Sequence, residues 1–158
     1  MITYITYNEK DTEKLANIFA KYIVNSAIIG LGGELGAGKT TFVKYFTKAK
    51  GGDINLVTSP TFTLINEYKL KNGYIYHIDL YRLNTIEELY GLGLEEYLEF
   101  REGISFVEWY NKFPEFFSRD MIEVSIFIEG DTKRRFEIKS KGKLYNEYLQ
   151  NIKRELSI

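Results

Sequence analysis

Hydrophobic positions along this chain change period several times, and each change marks a new element. Met1-Ile2-Thr3-Tyr4-Ile5-Thr6-Tyr7 alternates as a strand does. Leu15, Ile18, Phe19, Tyr22 and Ile23 then fall on one helical face, with Asp11 or Thr12 placed to cap the helix. Ala27-Ile28-Ile29-Gly30-Leu31 reads as a buried strand running into a glycine-rich turn. A second helix is predicted from near Lys39 to Gly51-Gly52, because glycine commonly follows a helix C-terminus. Phe62 to Leu70 and Tyr74 to Leu80 are aromatic and β-branched runs separated by Lys71-Asn72-Gly73, a strong hairpin signal. Thr85-Ile86-Glu87-Glu88 is a capping box opening a short helix, and Leu94 to Phe100 reads as another. Ile104 to Trp109 reads as a buried strand, and Glu123–Ile128 with Arg135–Lys139 as a closing pair of strands. A last helix carries Leu144, Tyr148, Leu149 and Ile152 on one face.

That order is α/β with an antiparallel insertion, so the central sheet is expected to be mixed. The 158 residues fit one domain spanning 1–158, since domains cluster at roughly 100–150 residues. No linker or repeat suggests a boundary. With no Cys there is no disulfide, and a chain of this size does not need one to bury a core. The net charge of −1 argues against unaided nucleic-acid capture, where phosphate neutralisation dominates affinity. The most apolar stretch, Leu15 to Leu31, is interrupted by Asn17, Lys21, Asn25 and Ser26 and is no membrane span. The first residues lack a basic n-region, so a cytoplasmic location is expected.

Gly33-Glu34-Leu35-Gly36-Ala37-Gly38-Lys39-Thr40 satisfies G-x-x-x-x-G-K-[ST] at every fixed position, directly after a strand and at the start of a helix. Gly33, Gly36 and Gly38 let backbone N–H groups, including those of Ala37, Lys39, Thr40 and Thr41, turn toward phosphate oxygens. The helix N-terminus adds its partial positive charge. Lys39 is expected to reach the β- and γ-phosphates and the Thr40 hydroxyl to ligate Mg²⁺. The expected fold is therefore a phosphate-loop, NTPase-like three-layer sandwich, with a parallel core and an antiparallel hairpin insertion. The plainer reading, a tight turn that merely needs glycine, does not explain why the lysine and threonine also stand in place. The nearest runs to a guanine-reading signature, Asn111-Lys112-Phe113-Pro114 and Thr47-Lys48-Ala49-Lys50, lack its aspartate, so ATP or ADP is the expected ligand. A Mg²⁺-supporting carboxylate at a strand end is also required. The runs ending in Asp79 and Glu108 both qualify, and the residues alone do not choose between them.

Four blocks then occur in one order: Gly36-Ala37-Gly38-Lys39-Thr40-Thr41-Phe42, Ser59-Pro60-Thr61-Phe62-Thr63-Leu64, His77-Ile78-Asp79-Leu80-Tyr81-Arg82-Leu83 and Glu108-Trp109. Together they resemble the TsaE family, the ATPase component of the bacterial machinery making threonylcarbamoyladenosine in tRNA. The resemblance implies Thr40 and Glu108 as Mg²⁺ ligands and Asp79 as the carboxylate needed for hydrolysis. It implies Lys39 and the loop backbone as the phosphate grip, and Ser59 to Thr63 as a switch with Thr61 as its polar contact. Trp109 would lie beside the nucleotide, and Thr12 with Arg134 or Arg135 are the nearest matches to further nucleotide-approaching positions. Tyr110 stands where family members often have Pro, which predicts a local loop difference. The implied partners are TsaB and TsaD, with tRNA engaged only indirectly and no membrane.

His77, the only histidine, shares a strand face with Asp79; a lone strand histidine is more often a satisfied structural residue, with support of the site as the alternative and a role as base not expected. Arg82 could grip nucleotide or a partner in a fork, or lie on the surface. Two other functions compete with a partner-driven ATPase. A small-molecule kinase would use the same loop but needs an acceptor pocket and usually a basic lid, and the six Arg are scattered along this chain. A non-hydrolysing nucleotide sensor would show no turnover even with partners.

Overall fold

A computed structural model describes residues 1–24, 26–100 and 102–158, Phe100 by its backbone alone. The strands are β1 (Ile2–Thr6), β2 (Ile28–Gly32), β3 (Ile65–Lys69), β4 (Tyr74–Asp79), β5 (Gly103–Glu108), β6 (Met121–Ile128) and β7 (Arg134–Lys141). They form one sheet in the order β1-β7-β6-β2-β5-β4-β3. Its middle, β6-β2-β5-β4, is parallel, whereas β3 pairs β4, and β7 pairs both β6 and β1, antiparallel. The expected mixed sheet is thus present, with the hairpin of β3 and β4 at one edge.

Helices cover both faces. Helices α1 (Glu9–Tyr22), α2 (Lys39–Ala49) and α4 (Asn146–Glu155) bury Leu15, Phe19, Phe42, Phe46 and Ile152 against Ile29, Phe106 and Phe136 of the sheet. Phe42 is the hub: its ring lies 5.5 Å from Phe19, 6.3 Å from Phe106 and 5.7 Å from Phe136. The edge-on contacts with Phe19 and Phe106 favour one orientation of α2, and so one position for the loop that precedes it. The opposite face carries the short α3 (Ile86–Gly91), with Leu89, Leu94, Leu98, Phe113 and Phe117 packed on Ile78 and Val107.

Local chemistry moves some boundaries. α1 starts at Asn8, whose Oδ1 accepts from Asp11 N, while Tyr7 N donates to Asp11 Oδ2 at 2.8 Å. Asp11 is therefore the returning arm of a reciprocal cap rather than the cap itself. Thr85 caps α3 as expected, its hydroxyl accepting from Glu88 N, while the Glu88 carboxylate returns to that hydroxyl, accepting from Thr85 Oγ1 at 3.3 Å. Glu96–Phe100 is a single π turn instead of an α-helix. β3 begins three residues later than its aromatic run because Leu64 takes a left-handed backbone (φ +69°) and Leu64 N donates to Pro60 O, closing a turn that leaves Phe62 83% exposed. No described helix is long and apolar enough to cross a membrane.

Candidate phosphate-binding site

β2, β4 and β5 run parallel and end at one level. Register pairs Leu31 with Glu108 and Asp79 with Glu108, so the loop after β2 and both acids open onto the same end of the sheet. A cavity of about 890 Å³ lies there, lined by the loop from Gly33 to Thr41 together with Ser59, Thr61, Asp79, Tyr81, Glu108 and Trp109. Of the residues singled out from the sequence, Gly33, Gly36, Ala37, Gly38, Lys39, Thr40, Thr41, Thr61, Asp79, Glu108 and Trp109 all meet in this cavity.

The loop has the backbone its glycines permit. Gly33, Gly36 and Gly38 have φ of +145°, +83° and +108°, and a Cβ on Gly33 would sit 2.8 Å from Ile126 O. Lys39 Nζ donates to Gly33 O at 2.6 Å and lies 3.5 Å from Glu108 Oε1. The other Glu108 oxygen, Oε2, is 2.9 Å from His77 Nε2. Burial alone would push the Glu108 carboxyl up, but the His77 hydrogen bond and charge, with Lys39 beside it, outweigh burial and hold it below the usual carboxylate range. His77 is fully buried, as a supporting rather than solvent-facing residue should be.

Asp79 is held by different donors. Thr61 Oγ1 donates to its Oδ2 at 3.1 Å and Tyr81 N to its Oδ1 at 2.9 Å. Ser59 Oγ lies 2.9 Å from Thr61 Oγ1, so the Ser59–Thr63 segment reaches the acid through a hydroxyl pair. Trp109 has φ +63° and packs on Tyr81 with ring centroids 5.2 Å apart, closing the mouth beside Glu108. A short turn, Tyr110–Lys112, follows it.

Other residues named from the sequence lie elsewhere. Thr12 is buried on the inner side of α1 and does not line the cavity. Arg135 pairs with Glu129 and with Glu137 at 2.7 Å on β7, away from the loop. Arg134 touches the loop from outside: Nε donates to Ala37 O at 3.1 Å and Nη2 to Gly36 O at 3.2 Å. Arg82 lies 5.6 Å over the ring of Phe62, outside the cavity.

Two contributions carried no signal in the sequence. Lys112 Nζ donates to Tyr81 O at 2.7 Å and Leu83 O at 2.6 Å, pinning the turn after Asp79. Ser125 enters the cavity because β6 pairs parallel with β2, Gly32 opposite Ser125, a pairing that only the sheet order reveals.

Donor chemistry tests the expected metal. Mg²⁺ prefers oxygen ligands and is usually held by one or two carboxylates plus phosphates and water. Thr40 and Glu108 present a hydroxyl and a carboxylate to the same cavity, so the residues fit. Among the described residues no group of three or more His, Cys, Asp or Glu is arranged to hold a metal, and Mg²⁺ beside phosphates does not require one.

A strand, a glycine loop with a terminal Lys-Thr and a helix, set in a parallel sheet with acids at the neighbouring strand ends, define a phosphate-loop α/β protein. The chain belongs to the TsaE family: the family model described as threonylcarbamoyl adenosine biosynthesis protein TsaE matches residues 6–136. It is similar to tRNA threonylcarbamoyladenosine biosynthesis protein TsaE of Rickettsia felis, 39% identical over 130 residues covering 82% of this chain and 75% of that one. The protein of the same name from Bacillus subtilis is 33% identical over 153 residues, covering 97% and 94%. That from Aquifex aeolicus is 48% identical over 107 residues, covering 66% and 74%. The crystal structure of Bacillus subtilis YdiB superimposes with a TM-score of 0.79 at 29% identity, covering 98% of this chain and 95% of that one. The chain therefore has its place in tRNA threonylcarbamoyladenosine biosynthesis.

Proposed function

We propose that this protein binds ATP with Mg²⁺ and hydrolyses it slowly, and that a TsaB–TsaD complex accelerates this step and is switched or reset by it. The observation that carries the reading is the meeting of Lys39, Thr40, Thr61, Asp79 and Glu108 around one cavity at the carboxyl ends of three parallel strands. Lys39 and the loop amides would hold the β- and γ-phosphates, where α2 adds the field of its N-terminus. Thr40 and Glu108 would hold Mg²⁺, which neutralises phosphate charge when bound. Asp79 would accept a hydrogen bond from water and orient its oxygen toward the γ-phosphorus. The γ-phosphorus would then bond the water oxygen as its bond to the β–γ bridging oxygen breaks, the water's proton passing to an oxygen of the departing phosphate, and ADP and inorganic phosphate would leave. Thr61, already on Asp79, would read the γ-phosphate as the Ser59–Thr63 segment orders.

A positioned arginine finger is worth about 10³–10⁵ in rate, and no arginine lines this cavity among the described residues, which supports slow turnover in isolation. The net charge of −1 supports tRNA engagement through partners rather than directly. The test is steady-state hydrolysis by the purified protein alone and then with TsaB and TsaD. The expected result is slow turnover that rises at least tenfold with both partners. Fast turnover indifferent to them would favour a self-sufficient enzyme, and none under either condition would favour a sensor. In competition titrations ATP and ADP should outcompete GTP; equal affinity would overturn the choice of base.

A further inference from the structure

A line of polar side chains crosses the sheet face beneath α2, from strand to strand, in a setting otherwise built of phenylalanine and isoleucine. Lys39 meets Glu108 on β5, Glu108 meets His77 on β4, and His77 Nδ1 lies 3.2 Å from Tyr68 Oη on β3. Tyr68 Oη donates to Thr58 O at 2.9 Å and accepts from Thr58 N at 3.3 Å, clamping both backbone groups of that residue. Thr58 is the residue immediately before Ser59. Asn66 Nδ2 also donates to Thr58 O at 3.3 Å. The segment is therefore tied at its root by Tyr68 and at its middle by Thr61 on Asp79. His77 and Tyr68 are buried and neither lines the cavity, so neither would touch nucleotide.

We infer that His77 is a positioning residue which, with Tyr68, couples the phosphate side of the cavity to the Ser59–Thr63 segment. The inference rests on the reading of Glu108 and Lys39 as parts of a nucleotide site. A phosphate that draws Lys39 away from Glu108, or a metal that takes Oε1, changes what Glu108 asks of His77. Among the described residues His77 is held between two partners on its ring nitrogens, so a shift at Nε2 is passed to Tyr68 and on to the Thr58 backbone. Buried polar chains transmit in this way because every member must stay paired.

Hydrogen exchange of the full chain, with and without Mg²⁺ and a non-hydrolysable ATP analogue, tests it. In the native protein the analogue should slow exchange both at the phosphate-loop amides and at residues 58–64. In Tyr68→Phe, which deletes one oxygen, loop protection and analogue affinity should stay within threefold of native. The nucleotide-dependent slowing at 58–64 should fall about three- to tenfold, the worth of one or two hydrogen bonds. His77→Gln, which keeps a donor toward Glu108 and loses the ring atom facing Tyr68, should lose the nucleotide-dependent slowing at 58–64 in the same way, compared at saturating analogue because His77 also holds Glu108. A purely structural role would raise exchange equally with and without nucleotide. Full retention of the 58–64 response in Tyr68→Phe overturns the coupling alone, as does a native protein whose 58–64 amides ignore the analogue while the loop responds. Absence of protection at the native phosphate loop overturns the nucleotide reading and the coupling with it.

Discussion

Glu108→Gln separates the metal from the phosphate grip. The substitution keeps shape and an oxygen that accepts from His77 Nε2, and removes the charge 3.5 Å from Lys39 Nζ. At an effective dielectric constant of about 20, two unit charges at that distance attract by about 5 kcal/mol, most of it offsetting the desolvation both groups suffer. Lys39 keeps Gly33 O and faces the cavity, so it is not left wholly unpaired. The expected loss is therefore below that of a fully buried orphan, about 2 kcal/mol, or a Tm lower by about 4–8 °C for a domain of this size. Nucleotide binding should respond differently. If Glu108 ligates Mg²⁺, affinity for ADP in Mg²⁺ should drop by about 10–100-fold or more, since even groups that only orient a metal ligand matter that much. Affinity in EDTA should hold or rise, because Lys39 no longer has a carboxylate competing with phosphate. Trp109, the single Trp and 42% exposed at the cavity mouth, provides the fluorescence signal for both titrations. Equal losses in Mg²⁺ and EDTA would refute the metal assignment and place Glu108 in the service of Lys39.

Asp79→Asn should leave ADP affinity within threefold and lower partner-stimulated hydrolysis by about 10²–10⁴, because positioning of water acts in the transition state; steady-state kinetics check it, and exchanged phenotypes for the two acids would reverse their roles. Gly30→Ala should cost about 1–3 kcal/mol by overpacking, seen as a lower Tm, since its Cβ would lie 2.6 Å from Tyr110 Cε1 and 2.7 Å from Met121 Cε. Tyr45 Oη donates to Glu9 Oε2 at 2.8 Å, and that bond raises the phenol from 10.0 to about 12. The raised value means the bond stabilises fully below pH 10 and is lost as pH rises toward 12. The urea-midpoint gap between native and Tyr45→Phe should accordingly stay constant to pH 10 and shrink above it.

Features set within a few residues were legible in the sequence. The hairpin at Lys71-Asn72-Gly73, the cap at Thr85 and the loop from Gly33 to Thr40 depend on local backbone preference, and each is where its residues put it. The boundaries that moved did so where a competing local bond was available. Asn8 won the cap of α1 because Asp11 was placed to reciprocate, and Pro60 with the left-handed Leu64 held Phe62 out of the sheet despite its strand propensity. What could not be read was anything that depends on strand order. Tyr68, His77 and Glu108 are 9 and 31 residues apart in the chain, and they line up only because β3, β4 and β5 are neighbours. Lys112 likewise looks like any exposed lysine until the turn after Asp79 is laid against it.

The same register explains why two acids could be found and not ranked from sequence. Asp79 and Glu108 end adjacent parallel strands directly opposite one another, so both runs read as an apolar strand finished by a carboxylate. Two like charges so close would oppose each other, and the fold answers by giving them separate donor sets. Glu108 is met by Lys39 and His77, whereas Asp79 is met by a threonine hydroxyl and a backbone amide. A carboxylate already paired with an ammonium is suited to carry a cation, since Lys39 can turn to phosphate as a divalent metal takes its place. A carboxylate held by neutral dipoles has its geometry fixed but its charge less compensated, which suits a group that must orient a water rather than carry a cation. The division of labour proposed for the two acids thus rests on what surrounds each, and the donors that decide it come from three different segments of the chain.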